Sequence, residues 1–220
     1  MPIQPILRII VAIACAAISL TCQAWPVAAT EPIRIVALGD SLTAGTGLPH
    51  SAAFPARLEA ALRARGHAVE IINAGVSGDT TSGGVARLDS SVPSGTEAVI
   101  LALGANDGLR GVDPNTTRSA LDRILRRLHE RRIAVLVAGM YAPRHMRPDY
   151  VRAFDAIFPH LAATYGAIFY PFFLDGVVGN RALNQGDGVH PTAAGVDVIV
   201  GRVLPKAEEL IARVKVQRGS

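Results

Sequence analysis

The chain has 220 residues, with 22 Lys and Arg against 18 Asp and Glu side chains and a formal net charge of +4. Hydrophobic residues make up 50% of it, which excludes a disordered chain of low hydrophobicity and is enough for one domain with a sizeable core. The small charge excess does not indicate a nucleic-acid partner, because the basic cluster over residues 123–132 contains Glu130 and has no aromatic side chains for base stacking.

Residues 1–29 have the pattern of a secretory signal peptide. Arg8 precedes an apolar run over residues 9–20, and the small residues at 27–29 suit signal peptidase, with residues 22–24 as a second possible cleavage site. The run is shorter than the roughly 20 residues that span a bilayer, so we expect export with cleavage and no stable membrane anchor. Both cysteines, Cys15 and Cys22, lie in this segment, so the predicted mature domain, residues 30–220, has no disulfide. We expect it in the periplasm or outside the cell.

Short apolar runs predict five buried β-strands, at residues 33–38, 69–72, 98–103, 133–138 and 167–173. Each run is nearly continuous in apolar residues, which is typical of strands covered on both faces in a parallel sheet.

Amphipathic stretches predict helices that follow Ser51 and that cover residues 114–131, 152–165 and 193–214. Pro159 and Pro205 are expected to bend or break the last two. Alternating strands and helices predict a doubly wound, three-layer α/β/α fold with a five-stranded parallel sheet, in which ligands bind at the carboxyl ends of the strands.

The first candidate for chemistry is Ser41, which follows the first predicted strand in a turn flanked by Gly39 and Gly45. A strand end exposes a serine, and the glycines allow close approach of a substrate, so this is a suitable place for a nucleophile. Asp-Ser after a strand is also typical of a helix N-cap.

The second candidate is the pair Asp187 and His190, in a short loop ahead of the last helix. An acid three residues before a histidine can orient the imidazole, whose other nitrogen then takes a proton from a serine and returns it to a leaving group. None of the other five histidines has an acid so placed in a glycine-containing loop near a predicted strand-to-helix corner.

Donors for an oxyanion follow the second and third predicted strands. The turn over residues 73–80 has backbone N–H groups around Gly78, and residues 104–107 bring the side-chain amide of Asn106. Both segments are also ordinary turn sequences. Since parallel strands end at the same edge of a sheet, Ser41, Gly78 and Asn106 are expected side by side.

These segments resemble the four sequence blocks of the SGNH hydrolases, also called GDSL esterases: GDSL at 39–42, the Gly78 turn, GAND at 104–107 and DGVH at 187–190. Residues 77–80, 106–111 and 171–173 further resemble the family's branch of bacterial periplasmic thioesterases, lysophospholipases and arylesterases.

The resemblance implies a flavodoxin-like fold and a serine hydrolase that cleaves carboxylic esters and thioesters, lysophospholipids among them, through an acyl-enzyme. It implies Ser41 as nucleophile, His190 as base and then acid, and Asp187 as its orienting group. The oxyanion hole would comprise the backbones of Ser41 and Gly78 and the side chain of Asn106. Substrate contacts are expected in residues 107–109, which are Asp107, Gly108 and Leu109. No metal or other cofactor is implied.

Two alternatives stay open at this point. A carbohydrate O-deacetylase of the same family would share the four blocks. A noncatalytic module could use the Gly39 and Gly78 turns to bind an anion, although binding alone requires neither the Asn106 amide nor the acid-histidine pair.

Overall fold

The computed structural model describes residues 31–219, so the predicted signal segment, its cleavage sites and both cysteines lie outside the described residues. The strands are β1 (Ile33–Gly39), β2 (Val69–Gly75), β3 (Ala98–Ala102), β4 (Ala134–Ala138) and β5 (Ile168–Tyr170). They form one parallel sheet in the order β2-β1-β3-β4-β5. This flavodoxin-like order winds the chain outward in both directions from β1.

Two layers of helices cover the sheet. The α-helices of residues 31–219 are α1 (Ser41–Ala44), α2 (Phe54–Ala64), α3 (Thr81–Ala86), α4 (Leu88–Ser91), α5 (Ala105–Leu109), α6 (Pro114–Glu130), α7 (Pro148–Asp155), α8 (Ile157–Thr164) and α9 (Ala193–Arg218), and a short 3-10 helix covers His50–Ala52. Helix α2 packs with α9, and α6 packs with α3, α7 and α8. Because apolar side chains such as Leu58 in α2 and Ile124 in α6 are fully buried against the sheet, both faces of the sheet contribute to the core.

The register of the strands aligns their carboxyl ends. Gly39 at the end of β1 pairs with Gly75 of β2 on one side and with Ala102 of β3 on the other. The turns that leave these three strands therefore start at the same height on one edge of the sheet. This edge is where the predicted chemistry lies.

The five strands and the three-layer fold are confirmed, while two helix predictions need correction. The break expected at Pro159 occurs instead at Ala156, and Pro159 lies in the first turn of α8, where no intrahelical N–H bond is lost. Helix α9 continues through Pro205. The carbonyl that Pro205 leaves without a donor belongs to Gly201, an exposed position where water can replace the lost bond.

Among residues 31–219, the structure contains no helix with both the length and the apolar character needed to cross a bilayer.

Candidate active site

Ser41 is the first residue of α1, and Asp40 alone separates it from the end of β1. Asp40 caps this helix, since its Oδ1 accepts a hydrogen bond from Leu42 N at 3.0 Å. The helix cap that the Asp-Ser sequence indicates is therefore present, and it fixes the backbone that carries Ser41. A Cβ at Gly39 would lie 2.0 Å from Thr43 Oγ1, so this glycine makes room for the protein's own helix and not, as the sequence suggested, for a substrate.

The structure joins Ser41, His190 and Asp187 in one chain of hydrogen bonds. His190 Nε2 lies 2.9 Å from Ser41 Oγ, and His190 Nδ1 lies 2.6 Å from Asp187 Oδ2. The other carboxylate oxygen of Asp187 accepts from the backbone N–H groups of Val189 and His190, at 2.9 and 3.0 Å. One tautomer satisfies both ring contacts: Nδ1–H donates to Asp187, and Nε2 accepts from the Ser41 hydroxyl.

The loop that carries the acid and the histidine is tied to itself and to the loop after α1. Gln185 N donates to His190 O at 2.7 Å, and Gln185 Nε2 donates to Pro191 O at 2.9 Å and to Thr46 O at 2.8 Å. Within it, the hydrogen bond from the His190 ring and the two backbone N–H groups hold the pKa of Asp187 well below its usual range. Asp187 is thus an anion at every pH at which the protein is expected to work.

Three N–H groups are predicted to form an oxyanion hole. Ser41 begins α1, so its N–H has no acceptor inside the helix. The Gly78 N–H has no hydrogen-bond acceptor within residues 31–219. Asn106 Nδ2 lies 2.9 Å from Asp79 O and 3.4 Å from Asp40 Oδ2, so one of its hydrogens is well bonded and the other only weakly. The bond to Asp79 O also attaches Asn106 to the turn that contains Gly78.

Asp40 is a fully buried carboxyl group behind Ser41. Its pKa is raised to about 6, chiefly by burial and also by the nearby negative charge of Asp79, which together outweigh the hydrogen bonds from Leu42 N and Asn106. The residue is therefore partly protonated in mildly acidic solution.

A cavity of about 530 Å³ opens beside Ser41, and neither Gly78 nor Asp40 is among its lining residues. It is lined by Ser41, Asn106 and His190 together with a mostly apolar set of side chains, chiefly Leu42, Leu109, Met140, Tyr141, Phe172, Leu174, Val178 and Val189. Its volume lies within the usual range of small-molecule sites. The apolar wall was largely missed by sequence reasoning, although Met140 and Tyr141 come just after β4 at the edge of the sheet where ligands bind.

Of the three predicted substrate contacts, Leu109 alone lines this cavity. The Asp107 side chain is buried and turned away, because its carboxylate accepts hydrogen bonds from Thr81 N at 2.9 Å, Thr81 Oγ1 at 2.6 Å and Thr117 Oγ1 at 3.2 Å. Gly108 is buried as well. This corrects the expectation for Asp107 and Gly108, whose place in α5 directs them inward.

A larger depression of about 970 Å³ lies at the opposite end of the sheet, where it is lined by residues such as Glu97, Ala134 and Arg218. It contains none of the predicted site residues. In the part of the chain that the structure describes, no three His, Cys, Asp or Glu side chains are grouped so as to hold a metal ion.

Known proteins match the chain over nearly the whole described domain. The sequence profile of the GDSL-like Lipase/Acylhydrolase family matches residues 37–198. The chain belongs to this family. It is therefore an acyl hydrolase that cleaves esters. This favours the predicted hydrolase over the noncatalytic binding module.

Similar members of the family include an esterase, TesA, from Pseudomonas aeruginosa, 34% identical over 84% of this chain and 91% of that protein. The thioesterase 1/protease 1/lysophospholipase L1 of Escherichia coli K12 is 35% identical over 71% of this chain and 74% of its own length. The crystal structure of AlinE4, an SGNH-hydrolase family esterase, matches with a TM-score of 0.69 and 45% identity, covering 81% of this chain and 96% of that one. These names favour an esterase over a carbohydrate O-deacetylase.

Proposed function

We propose that this protein is a serine esterase and thioesterase in which Ser41 is the nucleophile, His190 the general base and acid, and Asp187 the residue that orients His190. The observation that carries the proposal is the continuous hydrogen-bonded chain from Ser41 Oγ through the imidazole to Asp187 Oδ2, with distances of 2.9 and 2.6 Å. A serine hydroxyl is a weak nucleophile at neutral pH, and a base within hydrogen-bond distance is the arrangement that activates it.

The reaction proceeds through an acyl-enzyme. His190 Nε2 takes the Ser41 proton as Oγ attacks the acyl carbon, and the imidazolium formed is stabilised by the ionised Asp187. The same proton then passes from Nε2 to the leaving alcohol or thiol as the bond to the acyl carbon breaks. His190 then deprotonates a water molecule, whose oxygen attacks the acyl carbon. As the bond from this carbon to Ser41 Oγ breaks, Nε2 returns the proton to Oγ and the carboxylic acid is released.

The oxyanion of each tetrahedral intermediate would be held by the N–H groups of Ser41 and Gly78 and by Asn106 Nδ2. The two backbone groups have no competing acceptor in residues 31–219, and the contact of Nδ2 with Asp40 is long enough, at 3.4 Å, to be exchanged for the oxyanion. Donors of this kind typically contribute about 2.7–4 kcal/mol each to transition-state stabilisation.

The substrates are acyl esters and thioesters with an apolar acyl chain, which fits the cavity beside Ser41. Tyr141, Phe172, Leu174 and Leu109 offer this chain apolar contacts and few hydrogen-bond partners. Such a wall suits a fatty-acyl group, including that of a lysophospholipid, better than a sugar, whose hydroxyl groups would lose hydrogen bonds to water there.

The test is covalent labelling by a fluorophosphonate, followed by intact-mass spectrometry. We expect one adduct on the parent protein, none on Ser41→Ala, and loss of ester hydrolysis in the same variant. A folded parent that gains no adduct, or a Ser41→Ala variant that still hydrolyses esters, would exclude Ser41 as the nucleophile. A chain-length series of p-nitrophenyl esters and acyl-CoA thioesters then defines the preferred acyl group.

We also propose that the protein acts in the periplasm or outside the cell after removal of residues 1–29. The basic start, the apolar run over residues 9–20 and the small residues at 27–29 support this. Cell fractionation with N-terminal sequencing of the processed protein tests it: a new N-terminus at residue 30 is expected, one at residue 25 would identify the earlier cleavage site, and an unprocessed cytoplasmic chain would contradict export.

A further inference from the structure

Arg87 lies at the junction of α3 and α4, directly behind the candidate active site. Its side chain is 19% exposed and makes four hydrogen bonds. Nε donates to Asp79 Oδ2 at 2.7 Å, one terminal nitrogen donates to Ala74 O at 2.8 Å and to Ser91 Oγ at 3.0 Å, and the other donates to Gly39 O at 2.8 Å. The planar guanidinium group therefore has acceptors on several sides at once, which a lysine ammonium group could not match.

The acceptors of this guanidinium flank the three predicted oxyanion donors. Gly39 is two residues before Ser41. Asp79 directly follows Gly78, and the Asp79 carbonyl accepts the hydrogen bond from Asn106 Nδ2. A single cation thus connects the end of β1, the turn after β2 and, through that turn, the amide that follows β3.

The pairing of this cation with Asp79 is close and specific. The Asp79 side chain is 11% exposed, so both charges are largely withdrawn from water. A Cβ at Gly83 would lie 1.8 Å from Asp79 Oδ1, so the carboxylate occupies space that only a glycine leaves free. The Oδ1 atom also accepts from Thr80 N at 3.0 Å, which fixes the orientation of the carboxylate.

We propose that Arg87 is a positioning residue that sets the relative placement of Ser41, Gly78 and Asn106 for stabilisation of the oxyanion. This inference rests on the proposed function. Arg87 does not line the cavity, and each nitrogen of its guanidinium group is bonded to a protein acceptor, so the proposed role involves no contact with the substrate. Its influence is on the transition state, because displacement of an oxyanion donor by about 1 Å can lower the rate by about 10²-fold.

Arg131 provides a matched control. Its side chain is 21% exposed, and its Nη2 donates to the carbonyls of Val92 and Pro93 at 2.7 and 3.1 Å. Arg131 therefore resembles Arg87 in burial and in bonding to backbone carbonyls, but it follows α6 at the far end of the sheet. If Arg87 only stabilises the fold, the two arginines should behave alike when replaced.

The experiment compares Arg87→Lys, Arg87→Ala and Arg131→Ala for kcat, KM, the rate of fluorophosphonate labelling and the midpoint of urea unfolding. We expect both Arg87 variants to lose about 10²-fold in kcat with KM little changed, because the missing stabilisation belongs to the transition state. Guanidinium ions at low millimolar concentration should restore part of the kcat of Arg87→Ala, whereas equal sodium chloride should not. Arg131→Ala should keep its kcat.

A further variant covers the case in which both Arg87 replacements fail to fold. Asp79→Asn keeps the side-chain oxygen and weakens the tie to the Gly78 turn, so we expect a smaller loss of kcat, with the same KM. Parent-like kcat in every folded variant, or an equal loss in Arg131→Ala, would overturn the positioning role. Failure of the proposed function is recognised separately, by a parent that takes no label or a Ser41→Ala variant that stays active.

Discussion

Replacing Asn106 by Ala tests the predicted oxyanion hole at its one side-chain donor. In the structure, Asn106 Nδ2 makes one good hydrogen bond, to Asp79 O at 2.9 Å, and one weak contact, to Asp40 Oδ2 at 3.4 Å. The weakly engaged hydrogen is the one available to the oxyanion, and losing such a donor typically costs about 2.7–4 kcal/mol of transition-state stabilisation, or about 10²–10³ in kcat. KM should change little.

The same substitution should cost little stability. Only the hydrogen bond to Asp79 O is of normal length, and a bond of this kind contributes about 1 kcal/mol to the free energy of unfolding. Because native domains have about 5–15 kcal/mol of stability, the folded fraction stays close to one, and unfolding cannot account for a large loss of kcat.

The assay is steady-state hydrolysis of a p-nitrophenyl ester, combined with urea unfolding. The control is Asn73→Ala at the neighbouring strand end, where the amide bonds to Ala44 O at 3.3 Å and accepts from Gly75 N at 3.0 Å. It should lose stability but retain its kcat. If Asn106→Ala hydrolyses the ester at the parent rate, or if both variants slow equally, Asn106 has no specific part in holding the oxyanion.

Three further predictions concern the base, the buried acid and the acyl cavity. His190→Ala should lower kcat by about 10⁴–10⁶-fold in the same ester assay, and near-normal turnover would remove His190 from the mechanism. The Asp40 pKa, raised from 3.8 to about 6, means that the folded protein holds this proton more tightly, so Asp40 lowers stability as pH rises from 4 to 7, by about 2 kcal/mol. Urea unfolding should therefore show that the free energy of unfolding of Asp40→Asn, relative to that of the parent, is higher at pH 7 than at pH 4 by about that amount. An equal difference between the two proteins at both pH values contradicts this. Phe172 stacks on Tyr141 with ring centroids 4.6 Å apart at the cavity wall. Phe172→Ala should lower the ratio of kcat/KM for octanoyl over acetyl esters by about tenfold, equivalent to roughly two buried methylene groups, and an unchanged ratio would place the acyl chain elsewhere.

The sequence predicts the sheet and the positions of the chemical groups well, for a physical reason. Buried parallel strands are continuous apolar runs, and their carboxyl ends meet at one edge, so residues that follow different strands are brought together without knowledge of any contact. Ser41 and His190 are 149 residues apart in the chain, yet their side chains lie within hydrogen-bond distance.

Properties that depend on side-chain direction or on distant packing could not be predicted in this way. Asp107 follows β3 as expected, but its orientation in α5 is decided by Thr81 and Thr117. Arg87 lies between two short helices, and no sequence motif marks it. Its proposed role follows from hydrogen bonds that its guanidinium group donates to carbonyls at the ends of β1 and β2. Likewise, the raised pKa of Asp40 arises from burial, which local sequence does not report.

The acid and the histidine share a single short loop, closed by the bridge between Asn184 and Pro191, whereas the serine lies at the start of α1. A rigid shift of this loop would leave the Asp187–His190 distance unaltered, but it would change the gap between Nε2 and Oγ and the bond from Gln185 to Thr46. In the proposed mechanism, activation of Ser41 therefore depends on the position of this loop. An inhibitor bound between the loop and Ser41 would leave the acid-histidine pair intact but separate it from the serine hydroxyl. To bind there, it would have to break the hydrogen bond from Gln185 Nε2 to Thr46 O.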